Sequence, residues 1–235
     1  MTGWTAKRFW KEATVEACDG GFTVRLDQRP VKTPAKSPLV VPSEALAAEI
    51  AAEWDAQSGT IKPDLMPMTR AANSATDKVG PLFEAVVDEI AGFGGSDLLC
   101  YRAVEPAELI NRQKVGWDPL LDWVTAEYGV TLKTTHGVMP VDQPAESLAR
   151  LRAAVASHSV FRLVALHDLV AITGSLVLGL AIGRGRLEPD TAFALSRIDE
   201  HWQIEQWGED ETAAEAEAAR LQSLRNAGRF YALCG

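Results

Sequence analysis

The chain has few cysteines. Cys18, Cys100 and Cys234 are three in 235 residues, widely separated and odd in number. No CxxC pair occurs, so neither a zinc ribbon nor a disulfide framework is indicated, and a reducing compartment is expected. Long apolar runs are also missing. The most apolar stretch, Leu169 to Ile182, is fourteen residues long, contains Thr173 and Ser175, and is bounded by His167-Asp168 and Arg184. A bilayer span needs about 20 apolar residues, so this stretch reads as a buried helix. The N-terminal MTGWTAKRFWKEA has neither a hydrophobic signal core nor a long Arg/Ser-rich presequence, so a soluble cytoplasmic protein is expected. Positive charge is in deficit: the net charge is -9 and the pI about 5.0. That argues against nonspecific nucleic-acid binding, which needs basic surface to displace counterions. A content of 47% hydrophobic and 23% charged residues is ordinary globular composition, not that of a disordered tail.

Catalytic signatures are scarce as well. The four histidines are His136, His158, His167 and His201, and none pairs with another at HExxH spacing. Ile198 stands three residues before His201, where the di-iron bundle motif requires glutamate. His167 and Asp168, adjacent on a helix, point about 100° apart. No GxSxG elbow is present, since Ser175 lies in TGSLVLG. Gly174, Gly179 and Gly183 recur at helical spacing and suit close helix packing, whereas a phosphate-binding loop needs a preceding strand. Cys100 in DLLCYRA follows two leucines and reads as buried and inert. No catalytic residue, metal ligand or cofactor is therefore expected. One enzymatic alternative stays open: a metal- or acid/base-dependent hydrolase using His201 and Glu205, one helical turn apart.

The residues that are present predict an α+β fold. Residues 1–42 read as β: FTVRLDQ alternates, Gly20-Gly21 turns before it, and Asp27-Gln28-Arg29-Pro30 turns after it. This section is basic, with seven Lys/Arg against four acids in residues 1–40. Ser43 then caps a helix whose apolar positions are Leu46, Ile50 and Trp54. From about Thr69 the period is helical. VGPLFEAVVDEIAGFGG predicts one helix, and two short ones follow in 105–129, each begun by an acid-proline pair, with Asp118 capping and Pro119 in a first turn. VTLKTTHGVMP is a short extended excursion, and helices are expected over 144–158, 160–183 and 189–220. A small β-rich N-terminal domain with one helix, 1–68, thus precedes a larger α-helical domain, 69–235.

One run stands out. From Asp199 to Glu217 the chain carries eight acids and no Lys or Arg: Asp199, Glu200, Glu205, Glu209, Asp210, Glu211, Glu215 and Glu217. A solvated helix usually mixes signs to gain i,i+4 pairs, and this one does not. In one continuous helix Leu195, Ile198 and Trp202 share a stripe suited to the protein's own core. Phe193, Ile204 and Trp207 form a second stripe opposite, flanked by Glu200 and Glu211. Such a helix is either sandwiched in a bundle or shared between its own core and a partner. Acids beside the second stripe are costly to bury unpaired, which favours a basic partner there. Seven tryptophans add interface candidates, chiefly Trp207, although core packing accounts for most of them, Trp54 included.

Several blocks taken together resemble one family: VPSEALAAEIAAEWDAQ, IKPDLMPMTRAANSATD, DLLCYRA, WDPLLDWVTAEYGV and SRIDEHWQIEQWGE. They are similar to the ATP synthase assembly chaperones acting on the alpha subunit of the soluble catalytic head, known from mitochondria and alpha-proteobacteria. The likeness runs in order from about Arg8 to the C-terminus. It departs after Trp207-Gly208, where relatives often carry His-Asp and this chain reads WGEDETAAEAE. The resemblance implies a non-enzymatic, ATP-independent chaperone that holds unassembled alpha subunit until beta subunit displaces it. It also implies a β-rich N-terminal domain ahead of a helical one, and a functional acid in the late helix that falls here at Asp199 or Glu200. Trp54 matches the family's tryptophan in the EWD block. The partner-binding residues expected are Asp199, Glu200, Gln203, Ile204, Trp207 and Glu211, on a monomer without membrane insertion. A plain structural subunit that stays in the finished complex is the other non-enzymatic alternative.

Overall fold

The computed structural model describes residues 7–137, 139–208 and 211–235. Residues 1–6, expected as β, and Glu209 and Asp210 of the acidic run lie outside the described residues. Two compact units are formed. One takes the chain up to Phe83 together with 159–165 and 229–235, and the other takes 84–158 and 166–228.

The first unit carries the sheet. Strands β1 (Ala13–Cys18), β2 (Gly21–Leu26) and β3 (Arg29–Pro30) pair antiparallel in the order β1-β2-β3, with Val15 opposite Val24. Both expected turns are present. Gly21 sits at φ 148°, with the Val41 carbonyl so close that a Cβ would lie 2.2 Å from its oxygen. Helix α1 (Glu44–Asp55) covers the sheet, and Ser43 accepts the Leu46 N–H as its N-cap. Leu46, Ile50 and Trp54 are buried, and Trp54 meets Trp10 edge-to-face at 5.2 Å between ring centroids. Trp54 is thus a core residue. Glu53, on the same helix, accepts hydrogen bonds from Met68 N (2.6 Å), Thr69 N (2.7 Å) and Thr69 Oγ1 (2.6 Å). These groups begin α2 (Pro67–Ser74), so one carboxylate joins α1 to the start of α2. Burial raises the Glu53 pKa, with the Thr69 and Met68 hydrogen bonds acting against it.

The second unit is helical. It holds α3 (Phe83–Gly92, all but its first residue), α4 (Ala107–Tyr128), α5 (Ala145–Ala156), the later part of α6 (Val160–Thr173), α7 (Leu176–Gly183), α8 (Pro189–Ser196), α9 (Ile198–Trp207) and most of α10 (Glu211–Leu233). The extended excursion appears as β5 (Thr135–His136), parallel to β4 (Tyr101–Arg102).

Three helix expectations need correction. The two short helices over 105–129 are one, because Pro119 lies on an exposed face of α4. The carbonyl left without an N–H partner there belongs to Val115, which is exposed, so the missing bond falls on the solvent side of the helix. The helix over 160–183 breaks at Gly174, whose φ of 69° ends α6. The helix over 189–220 breaks twice. At the first break the Ser196 hydroxyl donates to the Phe193 carbonyl at 2.7 Å. Arg197 N–H, which that carbonyl would receive in a continuous helix, donates to Ala194 O instead at 3.2 Å. Gly208 ends α9 at φ 93°, and α10 runs on to Leu233.

Helix α7 is buried along its whole apolar length, Leu176 to Ile182. Its first turn is closed by fully buried Asp97, which accepts from Ser175 Oγ (2.8 Å), Val177 N (3.0 Å) and Leu99 N (3.0 Å). Burial pushes the Asp97 pKa up, against these hydrogen bonds. Gly179 allows close packing, since a Cβ there would come within 2.5 Å of Val170 Cγ2. Cys100 is buried, and burial together with the Asp97 charge pushes its thiol up to about 12.

Replacing Asp97 with alanine strands several buried donors at the start of α7. The Asp97→Ala variant is expected to lose about 3 kcal/mol in urea unfolding, read as a lower midpoint. His167 supplies a pH signature. Its pKa is raised first by its hydrogen bond to Asp168, and further by the charge of Glu89. A raised histidine stabilises the fold fully below its unfolded value of about 6.5, and that contribution fades as pH rises through the folded value. The stability difference between wild type and His167→Gln should therefore be fully present near about pH 6 and shrink as pH rises above the unfolded value, read by urea unfolding across pH.

Candidate functional site

Helix α9 has no buried residue, which sets it apart from the helices that form the core. It is held by neighbours within its own unit. Against α4 it runs antiparallel. Trp117 Nε1 donates to the Leu195 carbonyl at 2.8 Å, and Gly116 leaves room for Leu195 and Ile198, whose side chains would lie 2.9 and 3.0 Å from a Cβ there. Gln113 Nε2 donates to Asp199 at 2.6 Å. Arg112 lies over the Trp202 ring at 4.8 Å and donates to Glu205 at 2.7 Å. The Arg112 guanidinium holds the Glu205 carboxyl below the usual range. Leu195, Ile198 and Trp202 thus face their own unit, as the sequence predicts.

Helix α10 takes a second side. His201 Nε2 lies 2.7 Å from Glu217, whose other oxygen is 3.8 Å from Arg197. His201 and Glu205 are therefore each engaged elsewhere, one by Glu217 and the other by Arg112. Among the described residues no group of three His, Cys, Asp or Glu side chains is arranged to hold a metal ion.

The third side of α9 faces outward. At about 100° per residue, Glu200, Gln203, Ile204 and Trp207 fall within one arc of about 100°. Trp207 is 79% exposed, Gln203 is exposed, and Glu200 and Ile204 are half-buried. Glu200 pairs with Arg197 at 2.6 Å on the helix's own surface. Glu211, at the start of α10, is exposed. Asp199 lies about 100° from Glu200 and turns to Gln113. Phe193 does not extend this face: it is buried in α8, on the far side of the Arg197 break, so the second stripe is shorter than a continuous helix would make it.

Sequence reading passed over the residues of α4 that hold α9. Gln113 carries a visible signal. Leu109, Trp117, Leu120 and Val124 form the buried stripe of α4, and Gln113 is the one polar residue among them. A polar side chain in an apolar stripe requires a partner, and here it has two.

Comparison with known proteins bears on the whole chain. The family model for the ATP12 chaperone protein matches residues 7–125. The chain is 26% identical to "Protein atp12, mitochondrial" of Schizosaccharomyces pombe over 241 residues, covering 97% of this chain and 82% of that protein. The crystal structure of Atp12 from Paracoccus denitrificans superposes with a TM-score of 0.95 at 51% identity, over 98% of this chain and 99% of that one. A lysine-for-aspartate mutant of the P. denitrificans protein gives a TM-score of 0.95 at 50% identity, over 98% of both chains. A solved chain from Agrobacterium tumefaciens gives 0.93 at 44% identity, over 97% of this chain and 86% of that one.

The two tryptophans on the outer and inner sides of this assembly should respond differently to removal. Trp207→Ala is expected to shift unfolding free energy by less than about 0.5 kcal/mol. Trp117→Ala, which empties a buried site and frees the Leu195 carbonyl, should cost about 4 kcal/mol. Equilibrium denaturation of the two variants checks the contrast.

Proposed function

Because the chain belongs to the ATP12 chaperone protein family, the ATP synthase assembly chaperones, we propose that it captures unassembled alpha subunit of the catalytic head and releases it to beta subunit. It acts without chemistry or ATP, as a monomer in the bacterial cytoplasm. The contact surface is the outward face of α9, with Glu200, Gln203, Ile204 and Trp207, extended by Glu211 and rooted at Asp199.

The observation that carries this proposal is Trp207. A tryptophan 79% exposed, on a helix with no buried residue, leaves a large aromatic surface in water. Partner binding removes that cost, and tryptophan is among the commonest hot-spot residues of protein interfaces. Glu200 on the same face, and exposed Glu211 and Glu215 on the first turns of α10, supply negative charge for basic groups on the client. A small apolar patch with a charged rim suits a contact that must be released, since charge speeds encounter more than it deepens affinity.

The test is capture of purified alpha subunit by Glu200→Lys. Glu200 makes a half-exposed surface pair, so charge reversal should leave the fold intact. Capture is expected to be abolished, and wild-type affinity in that variant would sink the assignment of this face. In the wild-type complex, added beta subunit should displace this protein. Its presence in the finished enzyme would instead mark it as a structural subunit.

A further inference from the structure

We propose that Gln113 is a positioning residue for the α9 surface and that Asp199 acts through it, fixing the rotation of α9 rather than touching the partner. This rests on the outward face of α9 being the docking surface.

Gln113 is fully buried on α4, and its two amide atoms have different partners. Its Oε1 accepts the Ala103 backbone N–H at 2.8 Å, and its Nε2 donates to Asp199 at 2.6 Å. The assignment of oxygen and nitrogen follows from the partners. A backbone N–H can only donate, so the atom facing it is the carbonyl oxygen, and the NH2 is left for the carboxylate. Neither leucine nor glutamate could serve both sides. Leucine would leave the Ala103 N–H and Asp199 without this partner, while glutamate would set two carboxylates against each other.

Asp199 is correspondingly committed inward. With Leu195 and Ile198 on Gly116, and Trp202 and Glu205 on Arg112, it completes a contact line along α4. The apolar members of that line can slide, since α9 has no buried residue to fix its register. Directional hydrogen bonds to charged groups are the stronger and more specific restraint. Rotating α9 by one residue would turn the face that carries Glu200 and Trp207 about 100° from its outward direction. The Arg112–Glu205 pair on the same line is exposed to water, so the Asp199–Gln113 bond, anchored on a fully buried amide, is the stronger restraint on which residues face the partner.

The experiment uses the full chain, with two readouts: affinity for purified alpha subunit, and hydrogen exchange of the α9 amides, residues 198–207. Asp199→Asn keeps a carbonyl acceptor for Gln113 and removes the charge. Both readouts should stay within about threefold of wild type. Asp199→Leu removes the acceptor, and α9 exchange should rise about tenfold or more, with affinity falling in step. Gln113→Glu should behave like Asp199→Leu. The double variant Gln113→Glu/Asp199→Asn reverses the polarity of the bond and should recover both readouts.

Loss of capture in Asp199→Asn with α9 protection unchanged would overturn the proposal, making the Asp199 charge itself the contact. So would unchanged α9 protection in Asp199→Leu. Should Gln113→Glu fail to fold, the Asp199 variants, at a half-buried position, decide alone. Should wild type capture no alpha subunit, the partner assignment falls, while the exchange measurements still decide whether the bond holds α9.

Discussion

The outward face of α9 depends on a hydrogen bond made beneath it. A ten-residue helix with no buried side chain cannot be fixed by hydrophobic packing alone, because apolar contact is non-directional. What fixes it is the amide of Gln113, which joins the Ala103 backbone to Asp199. Arg112, one residue before Gln113 on α4, and Trp117, four residues after it, bind Glu205 and the Leu195 carbonyl at the two ends of the same line. The Gln113 amide is fully buried, so leaving its bonds unmade is costly, whereas the Arg112–Glu205 pair lies in water and contributes less. The exposed tryptophan at the end of α9 is held in place by polar groups it does not touch.

The same device recurs inside each unit. Glu53 receives the first N–H groups of α2, and Asp97 those of α7, each as a carboxylate withdrawn from water. A helix start presents unpaired donors and partial positive charge, so an acid compensates there where an apolar residue could not. Burial works against ionisation in both, and the hydrogen bonds partly offset it. These acids are marks of architecture. A buried carboxylate with a raised pKa is often taken as a catalytic group, but each of these two already accepts several hydrogen bonds at the start of a helix.

How far such features can be read from sequence varies with their range. Ser43 with Leu46, Ile50 and Trp54 declares α1 completely, because cap and stripe are local. The β1–β2 hairpin is legible from Gly20-Gly21 and the alternation after it. Pro119 misleads because its effect depends on whether Val115 faces water, which only the packed helix decides. The break at Arg197 is invisible to periodicity, since it turns on one hydroxyl, that of Ser196, diverting one carbonyl. The grouping of Glu200, Gln203, Ile204 and Trp207 is legible because all four fall within α9. Phe193 was out of reach, lying before the break. The α4 residues beneath were not found, because spacing within one helix says nothing about which other helix it meets.

The charge of the acidic run is divided by this geometry. Glu205 and Glu217 are turned to Arg112 and Arg197, which compensate their charge within the unit, and Asp199 is turned to the Gln113 amide, which satisfies it by a hydrogen bond. Glu200 is half-satisfied by Arg197, and Glu211 and Glu215 face solvent. Among the described acids of the run, fewer are therefore open to a partner than their number implies. That combination favours rapid, salt-sensitive encounter and leaves binding strength to one aromatic anchor. Under the proposed function, such a surface would cover a client and yield when a competitor offers more buried area.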